Sequence, residues 1–155
     1  MANAPEAASW RPDLRVVRDV RPGLGAVGGI LTAVVEAPAP VVVVAWDMPF
    51  VTAPLLRTLA GGLAEADACL PGSGGPRGME PLCAAYGPAC APAIEAALAA
   101  GDHRAVGFHD RIRVGILSGS ALAALGDPAI LFFNVNTPDD GAEAEALWRT
   151  HASSR

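Results

Sequence analysis

Apolar runs alternate along the chain with short polar or glycine-rich turns, a pattern that favours strands and helices in succession. The longest β-branched run is four consecutive valines at 41–44, without polar alternation. Such a run predicts a strand buried on both faces, as in parallel sheets covered by helices. Further strands are predicted at residues 14–17, 80–86 and 114–117 and from residue 130. The pattern predicts an α/β protein with a mostly parallel sheet.

Helices are predicted between these strands. Thr52 is a suitable N-cap, and the leucines at 55, 56, 59 and 63 give the helix after it an apolar face. A second amphipathic helix is predicted at 88–100, with shorter helical stretches at 31–36 and 106–111. At 155 residues the chain has room for one domain, spanning 1–155, of which residues 1–10 are expected to be disordered.

Asp47 follows the valine run directly, in the sequence V-V-V-V-A-W-D-M-P-F. In open α/β sheets ligands bind beyond the carboxyl ends of the strands. A carboxylate at that place could handle a metal ion or a phosphate group. The alternative is that Asp47 is only a loop residue or a cap at the end of a strand.

Asn134 and Asn136 alternate about a valine in F-F-N-V-N-T-P-D-D, near the end of the predicted last strand. Alternate positions of a strand face the same side, so the two amides could orient a carboxylate, a metal-bound water or a ribose. They could equally well satisfy the backbone of a turn. Thr137 is a natural N-cap for a last helix, and the two aspartates after the proline suit the positive end of its dipole.

A glycine-rich turn, R-P-G-L-G-A-V-G-G-I, follows Asp19 and leads into a helix. Glycines before a helix leave backbone N–H groups open to an anion, or allow another backbone to approach closely. An ordinary glycine-rich turn fits the same pattern.

Charge and hydropathy exclude several classes of partner. The formal net charge is −5 and no basic stretch occurs, which argues against binding to nucleic acid or to an anionic membrane. All basic residues are arginine, so no lysine can serve as a mobile charge on a phosphate. No stretch approaches the roughly 20 apolar residues of a membrane span, and the N-terminus does not resemble a signal peptide. A cytoplasmic location is expected.

The cysteines and histidines suggest no metal or disulfide framework. Cys69, Cys83 and Cys90 are odd in number and form no C-x-x-C pair, so they are expected to be small buried hydrophobes. The three histidines have no ligand spacing and are expected at exposed or helix-surface positions.

The order of these motifs is more specific than any one of them. An acid after the first predicted strand is followed by R-P-G-L-G-A-V-G-G-I, D-M-P-F, E-P-L-C-A-A-Y and F-F-N-V-N-T-P-D-D. Over residues 14–147 this order resembles the molybdenum cofactor guanylyltransferases, the MobA-like nucleotidyltransferases. The resemblance implies a Rossmann-like sheet and Mg²⁺-dependent transfer from GTP to the phosphate of molybdenum-bound molybdopterin, with release of pyrophosphate.

The resemblance also implies roles for particular residues. Asp47 would be the catalytic carboxylate and the Mg²⁺ ligand. The nucleotide side of the site would be formed by Asp19, Gly25, Gly28 and Gly29. Asn134 and Asn136 would line the same site from the last strand and would support the metal or the pterin substrate. The segment at 80–82 would fall on the pterin side.

One family motif has no counterpart in this sequence. Relatives begin with a strand and a loop of the form L-A-G-G-x-S-x-R-M-G, followed by a lysine, which binds the guanine nucleotide. Without it we expect weak GTP binding, impaired transfer and an unpaired apolar edge at 41–45, as in a chain truncated at its N-terminus. That edge would invite self-association, an altered register, aggregation or a partner chain that supplies the missing half. A molybdoenzyme or a pterin-loading protein is a further expected partner.

Two alternatives to the guanylyltransferase remain open. The chain could be a non-catalytic accessory or remnant domain that binds the pterin cofactor or a partner chain. It could also be a related nucleotidyltransferase that uses CTP or another substrate.

Overall fold

The computed structural model describes residues 9, 12–37, 39–73 and 78–152, without the side chains of 151 and 152. Apart from residue 9, the N-terminal stretch predicted to be disordered lies outside the described residues. The strands are β1 (Val41–Val44), β2 (Ala68–Pro71), β3 (Cys83–Tyr86) and β4 (Val114–Leu117). The helices are α1 (Gly25–Glu36), α2 (Ala53–Gly62), α3 (Cys90–Ala99), a 3₁₀ turn (His109–Arg111), α4 (Gly119–Ala123), α5 (Pro128–Leu131) and α6 (Pro138–Ala152).

The four strands form one mixed sheet in the order β1-β3-β2-β4. β3 is antiparallel to both of its neighbours, whereas β2 and β4 pair in parallel. Strands β1, β2 and β4 therefore run in the same direction and β3 runs against them. The α/β fold class is confirmed, but the valine strand pairs with an antiparallel neighbour and not with a parallel one.

β1 is an edge strand of the described sheet and is not buried on both faces. Val43 is 9% exposed, whereas Val42 and Val44 are 37% and 38% exposed. Ala45 donates its N–H to the carbonyl of Leu82, which fixes the phase of the antiparallel ladder. Because hydrogen-bonded pairs alternate along such a ladder, the peptide groups of Val42 and Val44 point away from β3. The expected open edge at the valine strand is present in the described structure.

Helices cover the sheet on its two faces and form two apolar clusters. On one face α1 and α3 pack together over side chains such as Val43, Leu70 and Tyr86. On the other face α2 packs with residues of α4 and α5 over Cys69, Cys83 and Ala85. Burial of these apolar faces is the main force that holds the layers together.

Two predicted strands are absent and one observed strand was not predicted. Residues 14–17 form no strand within the described chain, and Leu14 is 55% exposed. The apolar stretch from 130 is helical at first, because Asp127 caps the turn at Ala129 and a proline follows the cap. The completely buried strand β2 contains alanine, cysteine and proline and has no β-branched residue that would identify it.

Candidate active site

Asp47 lies in the turn that follows β1, between an exposed tryptophan and the buried Met48. The turn is closed by the Met48 N–H, which donates to the carbonyl of Ala45 at 3.3 Å. Helix α2 begins shortly afterwards, where the Thr52 hydroxyl accepts the N–H of Leu55 as predicted. The loop that carries Asp47 is therefore held by a strand on one side and a capped helix on the other.

The Asp47 carboxylate has a buried oxygen without a hydrogen-bond partner in the described structure. This atom is Oδ1, and the residue as a whole is half-buried. A buried carboxylate oxygen is costly unless a donor or a cation satisfies it. Mg²⁺ is commonly held by one or two carboxylates together with substrate phosphates and water. The residue therefore fits the Mg²⁺ ligand that the resemblance implies.

Residues 132–137, here called the asparagine segment because they include Asn134 and Asn136, meet the Asp47 loop through the backbone. Val135 donates its N–H to the carbonyl of Asp47 at 2.9 Å. The same two segments also meet through aromatic rings. The rings of Phe50 and Phe133 stand edge to face with centroids 6.1 Å apart, and the ring centroid of Trp148 lies 6.3 Å from that of Phe50. The structure thus brings together two motifs that are almost ninety residues apart in sequence.

The asparagines do not alternate on a strand, contrary to the prediction, because residues 132–137 form no strand. Asn134 is half-buried and donates from Nδ2 to the carbonyl of Phe132 at 3.2 Å. This bond satisfies the backbone of the turn, which was the alternative role considered for the asparagines. Asn136 is exposed at the start of the last helix. The backbone places both residues beside Asp47, while a common direction of their amides is not supported.

Helix α6 begins with a reciprocal cap. Asp140 accepts the N–H groups of Asn136 and Thr137 at 2.9 and 2.8 Å, and its own N–H donates to the Thr137 hydroxyl. These backbone donors hold the pKa of the Asp140 carboxyl below its usual value. The predicted N-cap at Thr137 is confirmed, and the cap fixes the backbone immediately after the asparagine segment.

Asp140→Ala is expected to lower the urea midpoint of unfolding at pH 7, because it removes two charge-assisted bonds to the backbone. Since the folded pKa of this carboxyl is lowered, its stabilisation is present above the unfolded pKa and is lost as the pH falls through the folded value. Asp139→Ala is the control, because it removes a charge from the same turn and leaves these bonds intact. Equal midpoints for the two variants at pH 7 would contradict the role of the cap.

The direction of the chain places Asp19 and Asp47 toward the same end of α1. Arg15 pairs with Glu36 at the C-terminal end of α1, and the N–H of Val20 reaches Thr32, one turn closer to the start of that helix. The segment therefore runs antiparallel to α1. β1 also leaves the C-terminal end of α1, after a short connection. Both carboxylates consequently lie toward the N-terminal end of α1.

Different structural features explain the glycines at the start of α1. Gly25 has a positive φ of 60°, which favours glycine at that turn. A Cβ on Gly28 would lie 2.9 Å from the Cβ of Leu24 and 3.3 Å from the carbonyl of Arg21. Gly28 thus lets the preceding turn fold closely onto the helix, while Gly29 is half-buried in the next position. The proposed contact of these residues with a nucleotide stays a prediction.

The turn at 80–82 is hydrogen-bonded to the backbone directly before the Asp47 turn. Leu82 accepts the N–H of Ala45 at 2.7 Å, directly before the Asp47 turn. The hydroxyl of the buried Tyr86 donates to the carbonyl of Pro81 at 2.7 Å and anchors this turn. A second segment of the family pattern therefore reaches the same edge of the sheet.

The cysteines are buried, as predicted, and are unreactive in this setting. Burial raises the pKa of the Cys83 thiol to about 12 and that of Cys90 to about 11, and it also raises the pKa of Cys69. All three remain protonated at neutral pH and are poor nucleophiles and poor metal ligands. Within the described part of the chain, no group of three or more His, Cys, Asp or Glu side chains could hold a metal by itself.

His109 differs from the expected exposed position. It is half-buried against the ring of Phe108, with centroids 4.8 Å apart, and its Nε2 has no hydrogen-bond partner in the described structure. Burial lowers the pKa of the imidazole and so favours its neutral form. The side chain, on the first residue of the 3₁₀ turn, therefore packs against the buried Phe108.

One relevant residue escaped the sequence analysis. Thr32 is fully buried in α1, and its hydroxyl contacts the backbone next to Asp19. The sequence contains one sign of this role, a single polar residue in the apolar run I-L-T-A-V-V. A hydroxyl buried in such a run needs a hydrogen-bond partner.

Comparisons with known proteins identify the family. The family model described as MobA-like NTP transferase domain matches residues 1–113. A probable molybdenum cofactor guanylyltransferase from Pelotomaculum thermopropionicum is 36% identical over 97% of this chain and 73% of its own length. A second such protein, from Chloroflexus aggregans, is 35% identical over 87% of this chain and 66% of its own length.

A solved structure shows the same relationship in three dimensions. The crystal structure of molybdopterin-guanine dinucleotide biosynthesis protein A from Archaeoglobus fulgidus superposes with a TM-score of 0.78 at 32% identity. The match covers 94% of this chain and 73% of that protein. This chain therefore belongs to the MobA-like NTP transferase family and has its nucleotidyltransferase fold.

Proposed function

We propose that this chain is a guanylyltransferase that transfers GMP from GTP to molybdenum-bound molybdopterin in molybdenum cofactor biosynthesis. The observation that carries the proposal is the partnerless buried Oδ1 of Asp47, in a loop tied to the asparagine segment by the Val135 N–H. The names of the relatives at 33–36% identity support the choice of substrates. Among the described residues, no helix combines the length and the hydrophobicity that a membrane span requires.

In the proposed reaction a phosphate oxygen of molybdopterin attacks the α-phosphorus of GTP. The new P–O bond forms as the bond between the α-phosphorus and the bridging oxygen breaks, and pyrophosphate leaves with the electron pair. Bound at Asp47, Mg²⁺ would neutralise the negative charge on the phosphates. Asp47 provides the anionic ligand, and its loop fixes that ligand relative to the asparagine segment.

The remaining predicted residues would orient the two substrates. Asp19 and the N-terminal turn of α1, with Gly25, Gly28 and Gly29, would face the nucleotide. Asn134 and Asn136 would line the site from the segment beside Asp47. With no lysine in the sequence, donors to the triphosphate would be arginine side chains and backbone N–H groups, and we expect weak GTP binding.

Transfer from labelled nucleotide to molybdopterin tests this function. The chain is incubated with Mg²⁺, molybdenum-loaded molybdopterin and either GTP or CTP, and release of pyrophosphate is followed. Release with GTP and not with CTP supports the guanylyltransferase. Release with CTP alone would support the related cytidylyltransferase. Binding of the pterin without any release would support the accessory domain.

We also propose that a second copy of the chain pairs with the open edge of β1. A groove of about 310 Å³ runs along this edge, between the four valines and a wall that includes Arg15 and Val17. The outward peptide groups of Val42 and Val44 are two residues apart. They could pair reciprocally with the same groups of a second strand about a twofold axis at Val43. Exposed apolar edges of this kind commonly find a partner.

Val44→Lys is expected to convert such a dimer into a monomer, because a charged side chain on an edge strand opposes edge pairing. Val35→Lys is the matched control, since Val35 is 53% exposed on α1 and does not line the groove. Sedimentation velocity over a range of micromolar concentrations measures the two states. A wild-type chain that stays monomeric throughout, or a Val44→Lys variant that still dimerises, would contradict the pairing.

A further inference from the structure

The hydroxyl of Thr32 joins helix α1 to the segment that carries Asp19. Thr32 is the buried polar side chain of the described core, with no exposed surface. Its hydroxyl donates to the carbonyl of Gly28 at 2.8 Å and accepts the N–H of Val20 at 3.0 Å. The second bond fixes the peptide group that directly follows Asp19.

Two ion pairs also connect this segment to the rest of the chain. Residues 14–20 form no strand in the described chain, and the Val20 side chain is 41% exposed. Arg15 pairs with Glu36 and Arg21 pairs with Glu95 at exposed positions, where water screens the charges. The bond to Thr32 ends on a fully buried hydroxyl, so it defines the position of this backbone more strictly than the exposed ion pairs do.

Packing in the apolar core alone would not require a hydroxyl at position 32. Valine has nearly the same shape and would suit the apolar environment without the need for a partner. The bond from Thr32 to Gly28 satisfies the hydroxyl as a donor and leaves its oxygen free to accept. The additional bond to Val20 is therefore the feature that distinguishes threonine from valine at this place.

We infer that Thr32 is a positioning residue for nucleotide binding. It acts by holding the Asp19 backbone toward the N-terminal end of α1, where Asp47 also lies. This inference rests on the proposed function, in which Asp19 faces GTP. Loss of this one hydrogen bond, which fixes the backbone next to the Asp19 carboxylate, should weaken GTP binding about three- to tenfold. The loss of GTP affinity should depend on the Asp19 carboxylate and should be absent in a variant that lacks this carboxylate.

A double-mutant cycle in the full chain tests the inference. Titration calorimetry with GTP and Mg²⁺ is performed on the wild type, Thr32→Val, Asp19→Asn and the double variant. We expect Thr32→Val to weaken binding in the wild-type background and to have no further effect in the Asp19→Asn background. Thr32→Ser, which keeps the hydroxyl, should restore the affinity.

Thr58→Val is the matched control, because Thr58 makes the same bond to the carbonyl four residues earlier, from an exposed position on α2. Its affinity for GTP should equal that of the wild type. Amide exchange should show faster exchange at Val20 in Thr32→Val and not in Thr58→Val.

The outcomes separate the two proposals. If the wild type binds GTP and the effects of Thr32→Val and Asp19→Asn add fully, Thr32 acts independently of Asp19 and the inference is overturned. If Thr32→Ser binds no better than Thr32→Val, the hydroxyl is not responsible and the inference also fails. If the folded wild type binds no GTP, the proposed function itself fails and the positioning role fails with it.

Discussion

Replacement of Asp47 by asparagine is expected to abolish Mg²⁺-dependent transfer while the fold is retained. The substitution keeps the shape of the side chain and removes the negative charge that a divalent cation requires. Loss of metal-assisted charge neutralisation is worth several kcal/mol, so turnover should fall at least about a hundredfold. Pyrophosphate release measures turnover, and circular dichroism verifies the fold.

The matched control for this variant is Asp110→Asn. Asp110 is an exposed carboxylate on the 3₁₀ turn, where its partner is the neighbouring Arg111. This variant has the same change in net charge and should turn over at the wild-type rate. If Asp47→Asn keeps that rate as well, the metal must be bound elsewhere.

Phe50→Ala is expected to have the largest effect on stability among the residues around the site. Phe50 is 9% exposed and lies between the Asp47 loop, Phe133 and Trp148. Removal of a buried phenyl ring costs about 3–5 kcal/mol, a large part of the roughly 5–15 kcal/mol that stabilises a typical domain. Urea unfolding at 25 °C measures the free-energy difference.

The same substitution should also reduce transfer in the fraction that remains folded, because the ring connects the Asp47 loop to the asparagine segment. Phe50→Leu is the control, since it retains most of the apolar volume and should cost clearly less stability. A loss of under about 1 kcal/mol for Phe50→Ala would show that this aromatic cluster does not hold the loop.

Local signals in the sequence located the ends of the elements around the site. Thr52 and Thr137 were predicted as N-caps, and both hydroxyls accept a backbone N–H at the start of a helix. Capping depends on residues three or four positions apart and so is visible in sequence. The position of Asp47 after a strand was predictable for the same reason, because the valine run and its end lie within ten residues.

Sheet pairing was harder to predict, because it depends on residues that are far apart in sequence. The valine run correctly indicated a strand, but not that its neighbour would be β3 in antiparallel orientation. Residues 14–17 have a suitable β-branched composition, yet within the described chain no strand pairs with them. β2 was missed because its burial follows from its central place in the sheet and not from its composition.

The asparagine segment combines a correct and an incorrect expectation. Its proximity to Asp47 was implied by the family resemblance, and the bond from Val135 to Asp47 agrees with it. The strand geometry that would have aligned Asn134 with Asn136 is absent, because a capped helical turn at Pro128–Leu131 replaces the start of the predicted strand and residues 132–137 form no strand. Periodicity cannot reveal this difference, since the apolar residues from 130 suit a buried helical turn as well as a strand.

Isothermal titration of the folded chain with GTP, with and without Mg²⁺, tests the central claim most directly. If Asp47 holds the metal beside the nucleotide, GTP should bind in the presence of Mg²⁺, and the binding should be lost without the metal and in Asp47→Asn. Binding that is equal with and without Mg²⁺, or unchanged in Asp47→Asn, would contradict the assignment of this loop as the metal and nucleotide site.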